Sequence, residues 1–121
     1  MKTNTRKQIK SPVKLSLATN NGKELFLPGQ IIRLEAKSNY TRIFFTNHIS
    51  MLTAKVLKDF ETLLIPSGFI RTHRSHLVNK QYIQQVCGNS TIIMNDQSIA
   101  DISKRRKTTV LKALQLFTCR A

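Results

Sequence analysis

The chain has 121 residues, of which 20 are Lys or Arg and 6 are Asp or Glu, so its formal net charge is +14 at pH 7. This length fits one domain with a core of its own, and the positive charge makes a polyanion the expected partner. The two cysteines, Cys87 and Cys119, lack metal-binding spacing and indicate a reducing, cytoplasmic location. The basic amino terminus does not have a signal-peptide pattern, and no apolar run approaches the roughly 18 residues of a membrane span, so we expect no membrane association.

The amino-terminal part of the chain divides into an arm and the start of a sheet. Residues 1–12 are polar and basic and are predicted to form a flexible arm, with the folded domain spanning residues 13–121. The arm either only aids solubility or touches phosphate, and both interpretations stay open. From Val13 the apolar residues alternate, which predicts a strand, a turn at residues 20–23 and a returning strand at residues 25–27.

Three further strands and a helix are predicted next. Residues 31–35, 40–45 and 49–52 are rich in β-branched and aromatic side chains, which favour strands. The period then becomes helical behind Thr53, which is a candidate N-cap, and a Pro-Ser-Gly sequence ends the helix. The apolar positions of this helix are Val56, Leu57, Phe60, Leu63 and Leu64.

Residues 69–79, FIRTHRSHLVN, are predicted to form a polar loop with apolar ends. The run holds two arginines, two histidines, a serine, a threonine and an asparagine. Such side chains suit a DNA duplex because Arg can bind a guanine edge, Asn can pair with adenine, and hydroxyl and imidazole groups reach phosphates. The plainer alternative is a solvated polar loop.

The remaining elements are three short strands and a carboxy-terminal helix. The strands are predicted at residues 82–86, 91–94 and 98–99, with turns between them. The helix begins at Ser103, a good N-cap, and its apolar face predicts that it docks on a sheet. The sequence therefore predicts a mainly β domain with one internal helix and one carboxy-terminal helix. The apolar face of the last helix consists of Val110, Leu111, Leu114 and Phe117.

Four cations, at Lys104, Arg105, Arg106 and Lys107, crowd the start of this last helix. The helix macrodipole disfavours positive charge there by roughly 0.3–1 kcal/mol per exposed residue. A bound phosphate would relieve the conflict, since helix amino termini already attract phosphate. A solvated charge cluster is the alternative. If DNA is the partner, Arg105 and Arg106 are the expected groove contacts.

Catalytic, metal and cofactor sites have little support in the sequence. The histidines His48, His73 and His76 lack a fourth ligand at suitable spacing for zinc. Ser75 beside histidines lacks a nucleophile elbow, and the isolated glycines form no phosphate-binding loop. We therefore expect no enzymatic activity, no cofactor and no small-molecule substrate.

RNA binding is the strongest rival to DNA binding, because small basic proteins rich in strands often bind RNA. Proteins that read single strands stack bases on aromatic side chains. In this chain only Tyr40, or one of Phe44 and Phe45, is expected to be free for stacking. RNA or general polyanion binding therefore stays as the alternative.

Several segments in order resemble the LytTR DNA-binding domain family, over residues 14–114. The most specific is the central run, in which an aromatic residue precedes Arg-x-His-Arg-Ser and a final Leu-Val-Asn. The resemblance implies short antiparallel strands in packed sheets, loops rather than a helix as the DNA-reading elements, and a role in bacterial transcription regulation. The matching segments are IIRLEA at residues 31–36, NYT at 39–41, LL at 63–64, FIRTHRSHLVN at 69–79 and SKR at 103–105.

Carried over by position, the resemblance implies three DNA-contacting loops. Arg71 and Asn79 are candidates with plain alternatives, since Arg71 could pair with an acid and Asn79 could bind backbone. The sequence departs from the family at His76, where an aromatic residue is usual, and in the strongly basic run before the last helix. The predicted contacts are Asn39, Tyr40, Thr41, Arg42, Arg71, His73, Arg74, Ser75, Asn79, Lys104, Arg105, Arg106 and Lys107.

The leading hypothesis is a sequence-specific regulator of transcription that binds double-stranded DNA. A homodimer on repeated half-sites is expected, because pairing doubles the contacts through effective concentration. Many relatives carry a receiver domain before the DNA-binding domain, and this chain is expected to lack one. Besides RNA binding, an adaptor that binds another regulator is a further alternative.

Overall fold

The computed structural model describes residues 14–19 and 22–115. The predicted arm, the turn residues Asn20 and Asn21, Phe117 and Cys119 lie outside them. The described chain is mainly β with two α-helices, as predicted. The strands are β1 Leu15–Thr19, β2 Gly22–Phe26, β3 Ile31–Lys37, β4 Tyr40–Phe45, β5 Ser50–Thr53, β6 Phe69–His73, β7 His76–Asn79, β8 Ile83–Cys87, β9 Thr91–Met94 and β10 Ile99–Asp101; the helices are α1 Leu57–Leu64 and α2 Lys107–Gln115.

Within residues 14–19 and 22–115, all strand pairs are antiparallel and the strands form three sheets. The largest has five strands in the order β5-β4-β3-β7-β6, while β10-β9-β8 form a three-stranded sheet and β1-β2 a hairpin. In the five-stranded sheet β3 is central, and it pairs with β4 on one side and with β7 on the other. The residue pairs Lys37 with Tyr40 and Glu35 with His76 set the register at one end of that sheet.

The five-stranded sheet separates two hydrophobic cores. Leu34 and Leu77 of the central strands point into a core shared with the first hairpin and α1, while Ile32 and Val78 belong to a second core, shared with the three-stranded sheet and α2. A central strand buried on both faces carries apolar residues in succession rather than in alternation. This arrangement explains why Ile31 and Ile32, and likewise Leu77 and Val78, are adjacent apolar residues in the sequence.

The run at residues 69–79 is a β-hairpin, so its prediction as a loop is wrong. Strands β6 and β7 pair through residues such as Phe69 with Asn79 and Ile70 with Val78, and only Arg74 and Ser75 lie between them. The polar content of the run reflects its position at a sheet edge and at a turn. The interpretation as a loop missed the strands because both faces are partly buried and the register shifts once.

Thr53 is not the N-cap of the internal helix. It is the last residue of β5, and α1 starts after Val56, which makes no side-chain capping hydrogen bond. Asp59 in the first turn of α1 complements the helix dipole instead. Leu57, Phe60 and Leu64 are the buried face of α1, whereas Val56 and Leu63, which the predicted helical spacing also included, are 46% and 41% exposed.

Within the described residues the longer α-helix has 9 residues, far short of the roughly 20 that crossing a bilayer requires.

Candidate nucleic-acid interface

Two predicted contact segments lie side by side at one end of the five-stranded sheet. The β3–β4 turn consists of Ser38 and Asn39, and the β6–β7 turn consists of Arg74 and Ser75. The backbone N–H of Ala36 donates to the carbonyl of Ser75 at 2.9 Å, which ties the second turn to the strand that leads into the first. We call the end of the sheet that carries these two turns the turn end.

A β-bulge brings the basic segment to the same strand. The register of β6 with β7 shifts between Arg71 and His73, so Thr72 is the extra residue. Its carbonyl accepts the backbone N–H of Ser103 at 2.9 Å, and its hydroxyl donates to the carbonyl of Asp101 at 2.8 Å. The basic segment that follows Ser103 is therefore attached to β6 at Thr72, two residues before Arg74.

Ser103 caps this basic segment, as predicted. Its hydroxyl accepts the backbone N–H of Arg106 at 3.3 Å, and residues Lys104–Arg106 form a 3-10 turn that leads into α2. The α-helix proper begins only at Lys107. Lys104 and Arg105 are exposed, while Arg106 and Lys107 are half-buried.

The backbone of the β6–β7 turn is held from inside by Arg71. The Nε of Arg71 donates to the carbonyl of His73 at 2.9 Å, and its Nη2 donates to the carbonyl of Arg74 at 2.7 Å. The backbone N–H of Ser75 donates to Nδ1 of His73 at 3.0 Å. These contacts fix the turn, whereas the side chain of Arg74 is exposed.

The third nitrogen of Arg71 binds an acid that the sequence reasoning did not connect with the site. Its Nη1 lies 2.5 Å from Oε1 of Glu61 on α1. Glu61 stands four residues after the buried Leu57 and three before the buried Leu64, so it lies beside the packed face of the helix. A carboxylate at such a position needs a partner, and that spacing was the signal available in the sequence.

The β3–β4 turn presents polar side chains to solvent. Ser38 has a φ of 58°, a conformation uncommon for residues other than glycine. Asn39 is exposed, Tyr40 is 48% exposed, and Lys37 next to them is exposed and lies 3.6 Å from Glu35. Lys37 and Ser38 were not among the predicted DNA contacts, although they directly precede the NYT segment at residues 39–41.

Thr41 and Asn79 of the predicted contact set are buried. Thr41 is 0% exposed and its hydroxyl donates to the carbonyl of Lys55 at 2.7 Å. Asn79 is 2% exposed and its Nδ2 donates to the carbonyl of Ile31 at 3.0 Å. Both side chains therefore organise backbone. Through Thr41 the exposed Lys55, which was not predicted, is held next to β4.

Arg42 is half-buried on β4 and its Nη1 donates to the hydroxyl of Ser50 on β5 at 3.2 Å. Its guanidinium therefore extends from β4 towards the β5 edge of the sheet.

His76 is buried beside the β6–β7 turn. It is 9% exposed, its ring centroid lies 5.4 Å from that of His73, and its Nδ1 has no hydrogen-bond partner. Burial lowers the pKa of His76 below its ordinary value of 6.5, and Arg33 and His73 act in the same direction, against Glu35 and Asp101. At neutral pH the imidazole of His76 is therefore uncharged, and its ring packs in the interior beside the turn.

Glu35 lies on the same face as His76 and stays ionised. Burial opposes its ionisation, but the Arg33 guanidinium, 3.1 Å away, and Lys37 together hold the pKa of this carboxyl below its ordinary value. Among the described residues, no group of three or more His, Cys, Asp or Glu side chains is arranged to hold a metal ion.

The three aromatic candidates for base stacking differ in exposure. Phe45 is 5% exposed and belongs to the first core. Phe44 carries the guanidinium of Arg33 at 4.1 Å from its ring centroid, which covers one ring face. Tyr40 is the exposed one of the three.

Comparison with known proteins supports the resemblance. The sequence model of the LytTr DNA-binding domain family matches residues 22–115 of this chain. A solved structure described as the LytTr DNA-binding domain of a putative methyl-accepting/DNA response regulator from Bacillus cereus is similar to this chain, with a TM-score of 0.73 and 25% identity, and the match covers 88% of this chain and 99% of that chain. The search of curated proteins found no match. Because the family model spans most of its length, the chain belongs to the LytTr DNA-binding domain family.

Proposed function

We propose that this protein is a sequence-specific transcription regulator that binds double-stranded DNA and reads it with the turns between its strands. Family membership supports DNA as the partner and transcription regulation as the role. The observation that carries the proposal is the joining of three polar segments by backbone hydrogen bonds, Ala36 to Ser75 and Ser103 to Thr72. Short turns on a braced sheet can place side chains in a groove without a recognition helix.

The residues at the turn end and in the basic segment beside it divide into two roles. Arg74 and Asn39 are suited to base edges, because Arg binds guanine and Asn binds adenine with two hydrogen bonds each. Lys104 and Arg105 are suited to phosphates, together with Lys107 at the amino terminus of α2, where the helix dipole also favours an anion. Phosphate contacts fix the register on the duplex, and base contacts supply the sequence preference.

Other predicted contacts have secondary places in this proposal. Tyr40 is exposed and could pack on sugar or base, while His73 and Ser75 are half-buried at the edge of the turn. Since Nδ1 of His73 accepts the Ser75 N–H, Nε2 is the ring nitrogen left for DNA. Arg42 and Arg106 are half-buried and flank the turn end. We do not assign direct DNA contact to the buried Thr41 and Asn79.

The test is selection of bound sequences from a random duplex pool. We expect wild type to select a motif, Arg74→Ala to lose preference at about one or two positions of it, and Lys107→Ala to bind the same motif more weakly. The plot of log K against log salt has a negative slope, which should become shallower by about 0.9 for each phosphate that a variant no longer neutralises. Failure of wild type to enrich any motif would overturn the proposal, and identical motifs for wild type and Arg74→Ala would remove Arg74 from base readout.

RNA or general polyanion binding is less well supported by the geometry. Readers of single strands use several stacking rings, whereas of the three aromatic candidates only Tyr40 is exposed. Competition of a labelled duplex with single-stranded RNA distinguishes the two, and preferential release by RNA would reverse the ranking. Weak duplex binding at physiological salt would favour the adaptor alternative. Pairing of two copies on repeated half-sites stays a prediction, which the stoichiometry of the complex tests.

A further inference from the structure

We infer that Arg71 is a positioning residue for DNA readout and that Glu61 on α1 sets its geometry. This inference rests on the proposed function, because it explains how the Arg74 turn is held in a shape that fits one base sequence. It places a determinant of sequence preference on a helix that contributes none of the predicted contacts.

Arg71 makes three separate contacts with its three nitrogens. Nε binds the carbonyl of His73 at 2.9 Å, Nη2 binds the carbonyl of Arg74 at 2.7 Å, and Nη1 binds Glu61 at 2.5 Å. Two successive carbonyls of the turn thus point at one guanidinium. The contacts fix the peptide planes on both sides of the Arg74 Cα, from which the exposed side chain projects.

Only a planar guanidinium can make these contacts together. Arginine presents donors in a rigid fork, whereas the lysine ammonium is a single point charge on a flexible stem. A lysine here could bind Glu61 or one carbonyl, but its one nitrogen cannot occupy three separated positions. Replacement of Arg71 by lysine therefore keeps the charge and removes the clamp.

Glu61 gives the guanidinium its orientation and offsets its charge. The side chains of Arg71 and Glu61 are 13% and 29% exposed, so solvent screens the pair only in part. Arg74 follows three residues later in a protein of net charge +14, and an uncompensated Arg71 would repel it. Without Glu61, the guanidinium of Arg71 would be free to turn towards solvent or towards a DNA phosphate.

Preorganisation is the expected consequence for DNA binding. A side chain that projects from a fixed backbone loses less conformational entropy on binding than one on a mobile turn. The effect concerns Arg74 and its base, because a fork contact to guanine has strict geometry. Phosphate contacts made by lysine tolerate small shifts, so binding that is independent of sequence should change little.

The experiment compares two duplexes, the motif that wild type selects and the same motif changed at the position where Arg74→Ala loses preference. The variants are Arg71→Lys, Glu61→Gln and the double variant Arg71→Lys with Arg74→Ala. Asp59→Asn is the matched control, since it removes one negative charge from the same helix and is exposed. Thermal unfolding of every variant is measured in parallel.

We expect Arg71→Lys to lower the ratio of affinities for the two duplexes about tenfold, which is within the range of one good base contact. Glu61→Gln should lower it about threefold in the same direction, with binding to unrelated duplex within about twofold of wild type. Asp59→Asn should leave the ratio unchanged. In the Arg74→Ala background, Arg71→Lys should lower the ratio no further, because the two changes act on one contact.

Each outcome separates this inference from the proposed function. If wild type selects no motif, the proposed function fails. If wild type selects a motif and both Arg71→Lys and Glu61→Gln keep the wild-type ratio, the inference is wrong. A decrease in binding to all duplexes alike would instead make Arg71 a phosphate contact. If Arg71→Lys unfolds, Glu61→Gln with the Asp59→Asn control decides by itself.

Discussion

The β6–β7 hairpin has two ends that use similar polar side chains in opposite ways. At the turn end, the guanidinium of Arg74 is exposed and its backbone carbonyl is bound by Arg71. At the other end, Asn79 is 2% exposed and its amide binds the carbonyl of Ile31, 48 residues away. The first end leaves a side chain available for a partner, and the second end uses its side chain to join strands.

This difference shows that residue type alone does not reveal which polar side chains of residues 69–79 are available to bind DNA. Asn79 is an attractive reader of adenine by its chemistry, but its oxygen already accepts the backbone N–H of Gln81 at 3.1 Å. Buried polar groups are paired in folded proteins, and leaving one unpaired is costly. A polar side chain that is already hydrogen-bonded to backbone groups, as Asn79 is, therefore has a structural role and is not available to DNA.

The largest expected effect comes from Asn79→Ala at the buried end. The change leaves the carbonyl of Ile31 and the backbone N–H of Gln81 without the side-chain partners that bind them at 3.0 and 3.1 Å. We expect a loss of about 2–3 kcal/mol in the free energy of unfolding, measured by urea titration.

Arg74→Ala is the matched control at the exposed end of the hairpin. It should change the free energy of unfolding by no more than about 0.5 kcal/mol, because exposed substitutions away from structural contacts are nearly neutral. If Asn79→Ala kept full stability and lost affinity for the selected duplex, the contrast between the two ends would be wrong.

The next effect concerns Thr41, a predicted contact that is buried close to the turn end. Thr41→Val keeps the shape and removes the hydrogen bond to the carbonyl of Lys55, so we expect a loss of about 1 kcal/mol in the free energy of unfolding. Thr62→Val removes a longer hydrogen bond, at 3.3 Å, on the exposed side of α1 and should cost less than about 0.5 kcal/mol. Equal losses in the two variants would argue against a special role of the buried hydroxyl.

The smallest effect is the pH dependence caused by His76. Because burial lowers the pKa of folded His76 below 6.5, the unfolded chain binds a proton that the folded chain does not as the pH falls below that value. Stability therefore decreases from about pH 6.5 downwards until the folded pKa is reached, against a background set by Glu35, Arg33, His73 and Asp101. His76→Phe, which replaces the imidazole with a ring that cannot be protonated, should weaken this decrease and add up to about 1 kcal/mol of stability.

Thermal unfolding of wild type and His76→Phe at about pH 5.5 and about pH 7.5 measures this effect. We expect the two proteins to differ more at the lower pH, since only wild type then carries the cost of keeping an imidazole uncharged. A constant difference between the two pH values would show that folding does not lower the pKa of His76.

Local sequence signals predicted the elements that depend on neighbouring residues. The cap at Ser103, the apolar spacing of α1 and the alternation in β1 each lie within a few residues, and the structure has all three. The central run misled because β7 is buried on both faces and β6 contains a bulge, so neither strand alternates simply.

The partners of the site residues were beyond local reasoning. The hydrogen bonds of Asn79 with Ile31, of Thr72 with Ser103 and of Arg71 with Glu61 form only after distant segments of the chain have packed together. Sequence distance hides such pairs, although the polarity of each side chain indicates that it needs a partner. The family resemblance indicated three candidate segments, but it could not say which of their residues are buried.

The extra residue at Thr72 also bears on how the length of this chain can vary. Removing any one residue between Phe69 and Thr72 would take away the carbonyl that accepts the Ser103 N–H, or turn the side chains on one side of the deletion to the opposite face of β6. In the turn between β8 and β9, Gly88 and Asn89 are exposed and have positive φ, while the carbonyl of the next residue, Ser90, accepts the N–H of Ile102 at 2.8 Å. Natural variation in length is therefore expected at Gly88 and Asn89, and should be rare in β6.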